Sequence, residues 1–299
     1  MDPAAEFAEQ FDLVGDLLVP MMDEIDTAVS AGVPGRISSG FARFDEITAG
    51  GFQGGTLTVL AGSPGAGSTA LALGFVRTAA IRHRIGAAYL PLGTSPWSIT
   101  QRLLSAEAGI ETERLKTGRL SQLDRRTVAR CRSEIDKAPL VIKRPDSRDI
   151  TVLTQQITEL AADGARLSVV DPLHKINIGD LPFENRQREV SEVTRQLKVL
   201  ALDTNTAIIT TAHLSSPRQR IDYRQHLSDL RESGSIAHIA DLVVLINRPS
   251  LWTDDTPRID EVDLDIAKHR HGPADVELTV EHQLHLSRLI GPGQVRRQW

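Results

Sequence analysis

The residues with the plainest chemical meaning in this 299-residue chain are Gly62, Ser63, Pro64, Gly65, Ala66, Gly67, Ser68 and Thr69. They follow the apolar run Thr56-Leu-Thr-Val-Leu-Ala61 and precede an Ala/Leu-rich stretch of helical composition. A phosphate loop reads G-x-x-x-x-G-K-[ST] between a strand and a helix. Both glycines are present at that spacing, as Gly62 and Gly67, and Thr69 supplies the hydroxyl that reaches magnesium. Ser68 occupies the lysine position. Glycines let consecutive backbone N–H groups converge on an anion at the positive end of a helix, and that needs no lysine. What Ser68 forgoes is a point charge on the β- and γ-phosphates, a charge-assisted contact worth about 1.5–3 kcal/mol. A rate factor of about a hundred or more goes with it if that charge also serves the transition state. The loop therefore predicts ATP or ADP with magnesium as ligand, held weakly. The run Leu167-Ser-Val-Val-Asp171 adds an apolar strand ending in aspartate, which holds magnesium directly or through water in such sites.

Alternating strands and helices must position these residues. Apolar runs at 56–61, 87–92, 140–142, 167–170, 207–211 and 242–246 predict buried strands, with helices between them such as 184–205, whose Val190, Val193, Leu197 and Leu200 share a face. This βαβ alternation predicts an α/β domain with a mainly parallel sheet. After residue 246 the strands 261–267 and 275–280 follow without a helix, so the sheet should end antiparallel. At the other end, Phe7, Phe11, Val14, Leu18, Met21, Ile25 and Val29 recur in steps of three and four, an amphipathic helix that Pro20 should kink or break. A Gly/Pro/Ser stretch, residues 31–40, then reads as a linker. These features divide the chain into a helical segment, 1–32, and a domain, 33–299. The helix has two readings, packing on its own domain or docking on a neighbouring subunit.

A net charge of −5 excludes a uniformly basic nucleic-acid coat but leaves room for a local basic groove. Cys131 is the only cysteine, so no intramolecular disulfide and no cysteine-based metal cluster is expected. No apolar stretch reaches membrane-spanning length and the N-terminus is acidic, so a cytoplasmic protein with no membrane partner is expected.

The run Leu227-Ser-Asp-Leu-Arg-Glu-Ser-Gly-Ser-Ile236, with Ala240-Asp241 and an apolar strand after it, closely resembles the C-terminal motor domain of DnaB-type replicative helicases. Ile266-Ala-Lys-His-Arg-His-Gly-Pro273 is similar to that family's lysine–x–arginine segment, and residues 185–198 resemble the helix after the magnesium-binding aspartate. The likeness covers about residues 33 to 290. Residues 1–32 look like the family's linker helix, and the resemblance leaves the family's separate N-terminal primase-contacting domain without an expected counterpart in these 299 residues. The resemblance implies a RecA-like fold and a ring assembly. It implies phosphate and magnesium contacts from the loop, metal held by Thr69 and Asp171, and Lys268 and Arg270 acting in the adjacent subunit's ATP site. It also implies that loops 174–185 and 215–225 face single-stranded DNA in a central channel. Lys175, Asn177 and Asn185 in the first and Arg218, Arg220 and Arg224 in the second would meet its backbone without reading bases.

Three departures stand out. Ser68 replaces the lysine. Gly93, in Leu90-Pro-Leu-Gly-Thr94, stands where the family has the glutamate that activates water, and His213, in Thr211-Ala-His-Leu214, stands at the glutamine sensor. Positioning and electrostatics are nearly all that a phosphoryl-transfer site offers, so such a chain should hydrolyse ATP poorly or not at all. Three functions are compatible with the sequence. One is a non-hydrolysing subunit that binds nucleotide and single-stranded DNA, in a homo-oligomeric ring or mixed with an active DnaB-type helicase. Another is an active helicase whose missing groups are replaced by others, Lys175 and Glu107 being the nearby candidates. The third is an interaction module that binds neither ligand.

Overall fold

The computed structural model of the chain describes residues 13–31, 35–179, 186–214, 224–230, 234–253 and 255–292. Its internal contacts form two units, Met1–Arg36 and Ile37–Trp299. In the first, helix α1 (Val14–Ala31) is continuous through Pro20. Of the two outcomes expected at Pro20, a kink or a break, the break does not occur: the helix continues past the ring, which removes one intrahelical N–H. Phe7 and Phe11 lie outside the described residues, whereas Val14, Leu18, Met21 and Ile25 are exposed.

The second unit opens with the short helix α2 (Ala42–Ile47). Then follow β1 (Leu57–Gly62), α3 (Ser68–Arg77) with a π-helical turn at Thr78–Arg82, and β2 (Ala87–Pro91). Helices α4 (Pro96–Ala108), α5 (Thr112–Thr117) and α6 (Gln122–Ile135) lead to β3 (Leu140–Ile142) and α7 (Ile150–Ala162). The chain continues through β4 (Leu167–Asp171), α8 (Arg186–Thr204), β5 (Ala207–His213), α9 (Gly234–Ile239) and β6 (Leu242–Asn247). It ends on β7 (Glu261–His269), β8 (Val276–Gln283) and β9 (Arg288–Ile290). Local chemistry explains several boundaries. Ser95 Oγ accepts the Ser98 N–H at the start of α4, where Pro96 fills the first turn, and Gly109 ends that helix in the left-handed conformation.

The nine strands among the described residues form one sheet in the order β3-β2-β4-β5-β1-β6-β7-β8-β9. The pairs among the first six strands in that order are parallel and the last three pairs are antiparallel, as the change of pattern after residue 246 predicts. Two apolar layers cover the sheet. One gathers Phe44, Phe52, Phe75, Ile99 and Leu103, and the other Leu153, Ile157, Val190, Val193 and Leu197. Coverage on both faces is why β1, β4 and β6 read as continuous apolar runs rather than alternating ones. Strand β9 is not anticipated by the sequence: unlike the three apolar residues of β3, it opens on a charged residue, Arg288, and leaves only Leu289 and Ile290 as an apolar pair.

The chain leaves β1 toward β2 on one side of the sheet and leaves β5 toward β6 on the other. Parallel sheets bind ligands at such a reversal, beyond the carboxyl ends of the strands. Residues 62–69 and Asp171 both lie at that edge.

Candidate functional site

The loop between β1 and α3 has the conformation an anion nest requires. Gly65 and Gly67 adopt φ of +86° and +108°, values that strain any residue with a Cβ. A Cβ at Gly62 would lie 2.9 Å from Ser68 Oγ and 3.2 Å from Ile246 Cβ. Gly67 caps α3, so the first free N–H groups of that helix open into the loop. The cavity there measures about 590 Å³ and is lined by loop residues Gly62 to Thr69, Ala66 excepted, together with Asp171, Thr211 and His213 on one wall. Residues of α5 and of the turn Leu284–Leu286 form another wall.

Asp171 ends β4 and is nearly buried. Its Oδ2 accepts hydrogen bonds from Thr69 Oγ1 at 2.9 Å and Tyr89 Oη at 2.5 Å, and its Oδ1 accepts one from Thr211 Oγ1. A carboxylate ringed by hydroxyls, beside a threonine at a helix start, is an oxygen-only donor set of the kind that suits magnesium. Burial foremost, then the adjoining Asp171 charge, holds the Tyr89 phenol well above the ordinary tyrosine range. Leu92 N–H donates to the Asp171 carbonyl at 2.7 Å, which brings the end of β2 beside the aspartate. A Cβ on Gly93 would lie 3.3 Å from Pro172 Cδ, so position 93 adjoins the Asp171–Pro172 corner but carries no proton acceptor. His213 pairs in register with Gly62, and its ring stacks on His174 with centroids 5.6 Å apart and planes 8° apart.

Two cations without a local sequence signal also line this cavity, Arg102 on α4 and Lys116 on α5. Arg102 makes no hydrogen bond or ion pair among the described residues and lies near enough to lower the Tyr89 phenol through its charge. Only spacing from the Gly93 segment could have pointed to it, and its helix had no separate chemical signal. Neither substitute considered from sequence is in place. Glu107 is buried between Arg77 at 3.2 Å and Arg82 at 2.8 Å, and burial lowers the Arg77 guanidinium. Lys175 is exposed on the turn Leu173–Lys175 and does not line the cavity.

Lys268 and Arg270 lie far from this chain's own loop. Lys268 pairs with Val243 near the start of β6, whereas Gly62 pairs with Ile246 near its end. Three residues of strand separate the two levels, about 10 Å. Here both cations serve their own fold. Lys268 Nζ donates to the His238 carbonyl at 2.8 Å, and Arg270 pairs with buried Asp241 at 2.8 Å while donating to the carbonyls of His238 and Ile239. They thus cap the end of α9. Burial and the neighbouring Arg270 lower the Lys268 ammonium.

Of the residues expected to meet DNA, Lys175 is exposed at the same sheet edge as the phosphate loop. Asn177 is tied into a bridge with Asp149, its Nδ2 donating to the Gly179 carbonyl. Arg224 pairs with Glu277 at 2.7 Å and with Asp265 at 3.5 Å. Asn185, Arg218 and Arg220 lie outside the described residues.

Strand order, glycine loop and strand-end aspartate define a phosphate-loop domain of RecA-like fold. A family model described as the DnaB-like helicase C terminal domain matches residues 36–289, and the chain belongs to that family. It is 42% identical over 227 residues to the replicative DNA helicase DnaB of Mycobacterium intracellulare, covering 74% of this chain and 38% of the relative. It is 37% identical over 255 residues to that of Leifsonia xyli subsp. xyli, covering 84% and 55%. The chain therefore spans 38% to 55% of these relatives' length. Its fold is shared with the ATPase domain of G40P, at a TM-score of 0.85 and 23% identity over 94% of this chain and 99% of the other. A DnaB-like replicative helicase, from a structure that also concerns its interactions with primase, superposes at 0.80 with 22% identity over 94% and 67%. No described helix is long and apolar enough to cross a membrane.

Proposed function

We propose that this chain binds ATP or ADP with magnesium at residues 62–69 and single-stranded DNA along the carboxyl edge of its sheet, and that it turns ATP over slowly or not at all by itself. One observation carries the reading: the phosphate nest and the oxygen donors of Thr69 and Asp171 are intact, while Ser68 has no charge and Gly93 has no proton acceptor. Binding draws on the first pair of features and hydrolysis needs the second. Thr69 and Asp171 would hold the magnesium, which supplies charge neutralisation at the phosphates. The backbone N–H groups of the loop orient the anion, and Thr211 and Tyr89 fix the aspartate. The chain then acts as a subunit of a ring, either of its own copies or mixed with an active DnaB-type helicase. In that ring Lys268 and Arg270, which lie remote from their own loop, would exchange their contacts at the end of α9 for a neighbour's site, and helix α1 would dock on that neighbour.

A second reading, an active ATP-driven helicase with a variant site, draws support from Arg102, a cation in the same cavity that has no partner among the described residues. ATP turnover measured with and without single-stranded DNA separates the two. Nucleotide binding with negligible turnover supports the first reading, and DNA-stimulated turnover abolished by Asp171→Ala supports the second. A chain that binds neither ligand is an interaction module, and both readings fail.

A further inference from the structure

Residues 112–148 hold 11 lysines and arginines against 5 acids, in a chain whose net charge is −5. Helix α6, 14 residues and about 21 Å long, carries the centre of that excess. Its apolar side, Val128, Cys131 and Ile135, packs in a small cluster with Ala108, Ile110 and Leu115. The other side faces water, where Arg125, Arg126, Arg130 and Arg132 are all exposed. At 3.6 residues per turn these four span about 160° of the helix surface. Between them stand only small or polar side chains, Gln122, Ala129 and Ser133. The acids of this region are already committed. Asp124 caps the helix at Ser121 and pairs with Arg114, Glu134 meets Arg84 at 3.2 Å and Lys137 at 3.5 Å, and Asp136 meets Arg132 at 3.3 Å. None of the three pairs with Arg125 or Arg126. Arg126 and Arg130 stand one turn apart, a like-charge spacing that weakens an isolated helix. The face also lies apart from the first loop expected to meet single-stranded DNA. Ile135 packs against the layer of Phe75, Ile99 and Leu103, whereas Ile176 and Ile178 of that loop pack in the opposite layer.

We infer that the exposed face of α6 binds the phosphate backbone of duplex DNA, as a surface separate from the loops after β4 and β5. Three features choose this partner. A protein interface needs an apolar or aromatic centre from which charge is excluded, and this face has none. Leu123, at one end, is the helix's single exposed large apolar side chain. Single strands are held by bases stacked on aromatic rings, and α6 contains no aromatic residue. A backbone contact needs only cations, and duplex DNA offers one negative charge per about 1.7 Å of its axis. All four exposed cations are arginine, whose planar fork matches the paired oxygens of a phosphate. The contact is blind to sequence, because phosphates carry no base information. It goes beyond the nucleotide and single-strand reading above and needs neither ligand.

The test uses the full chain without nucleotide, a fluorescent blunt duplex of mixed sequence and a fluorescent oligo-dT. Two variants are compared with the parent. One combines Arg125→Gln, Arg126→Gln and Arg130→Gln, and the other changes the same three positions to lysine. Both place good helix formers on an exposed face, so both should fold as the parent does. With glutamine, the slope of log affinity against log salt for the duplex should fall by about 2.7, at about 0.9 per lost phosphate contact. Duplex affinity at about 0.1 M salt should drop by about tenfold or more. The lysine variant keeps the charges and should keep most of the slope. Affinity for oligo-dT should stay near the parent's in both variants. Hydrogen exchange in the peptide spanning residues 122–135 should slow when duplex is added to the parent, while α7 stays unchanged. The inference is overturned if the parent binds no duplex, or if its duplex slope survives the glutamine substitutions. It also falls if lysine fails to rescue, which would make the arginines' role one of packing. An equal loss of oligo-dT binding would overturn the choice of duplex. Protection of 122–135 by poly-glutamate and not by duplex would assign the face to an acidic protein segment instead. The duplex measurement requires neither the phosphate loop nor Arg218 and Arg220, so failure of the function proposed above would leave it decisive.

Discussion

Ser68→Lys puts back the charge that the phosphate loop lacks, and the structure bounds what that charge can do. Ser68 is the first residue of α3, and the cavity it opens on, about 590 Å³, has room for an extended side chain. One ammonium placed on the phosphates adds one charge-assisted contact, about 1.5–3 kcal/mol. That corresponds to a Kd for ATP tighter by about tenfold to a hundredfold. Arg102 lines the same cavity, so in its presence the gain should fall at the lower end of that range. In an Arg102→Ala background, itself expected to weaken ATP binding by about tenfold, the gain should reach the upper end. Displacement of a fluorescent ADP analogue, at fixed magnesium and salt, measures all four corners of this cycle. Turnover should stay low in Ser68→Lys because position 93 still has no acceptor. Adding Gly93→Glu should raise it by about a hundredfold or more, the usual worth of a general base. The new Cβ would meet Pro172 Cδ at 3.3 Å, so the ring must yield by a few tenths of an ångström. An ATP affinity unchanged by Ser68→Lys in both backgrounds would refute the placement of phosphates at this loop.

Four further outcomes are expected. Asp171→Ala strips the shared acceptor from Thr69, Tyr89 and Thr211 and should cost about 3 kcal/mol in chemical denaturation, besides abolishing any magnesium dependence of nucleotide binding; a loss under about 1 kcal/mol would contradict the buried cluster. The raised Tyr89 phenol binds its proton more tightly folded than unfolded, so its contribution to stability is complete below the ordinary tyrosine pKa and is lost as pH rises above it. An absorbance titration at alkaline pH should accordingly show a phenolate that appears only with unfolding, and Tyr89→Phe should remove it. Mixing the chain with an active DnaB-type helicase should change ATPase activity across the mixing ratio, and Arg270→Ala should alter that change; its own stability should fall by about 1–3 kcal/mol, since the substitution takes one charged donor from buried Asp241 while Lys198 remains at 2.7 Å; identical curves for variant and parent would exclude a role in trans. Finally, Arg218→Ala with Arg220→Ala should lower the salt slope of single-stranded DNA binding by about 1.4, at about 0.7 per lost phosphate contact. Arg224→Ala should add less, because Glu277 and Asp265 already hold that guanidinium, and an unchanged slope would place the DNA elsewhere.

The two layers of physics in this protein are legible to different degrees. Fold class was open to direct reading, because β1, β4 and β6 are buried on both faces and so read as largely apolar runs, and because Gly65 and Gly67 occupy backbone angles that other residues avoid. Those are local requirements, and local requirements leave marks at fixed spacing. The loss of charge at Ser68 and of an acceptor at Gly93 is legible for the same reason, since each is the absence of one residue type at one offset. Groups brought together across the chain leave no such mark. Arg102 enters the cavity from α4, Tyr89 and Thr211 converge on Asp171 from two neighbouring strands, and Gln225 meets Ser63 across 162 positions of sequence. Lys268 and Arg270 looked free in the sequence, yet the β6–β7 register brings them onto the end of α9 and Asp241. The sequence by itself determined the sheet, the nest and what the nest lacks. Only the tertiary structure decided which charges are committed and which remain available, because an ion pair or a buried hydrogen bond depends on distance in space, and spacing along the chain constrains that distance only within a helix turn or a strand.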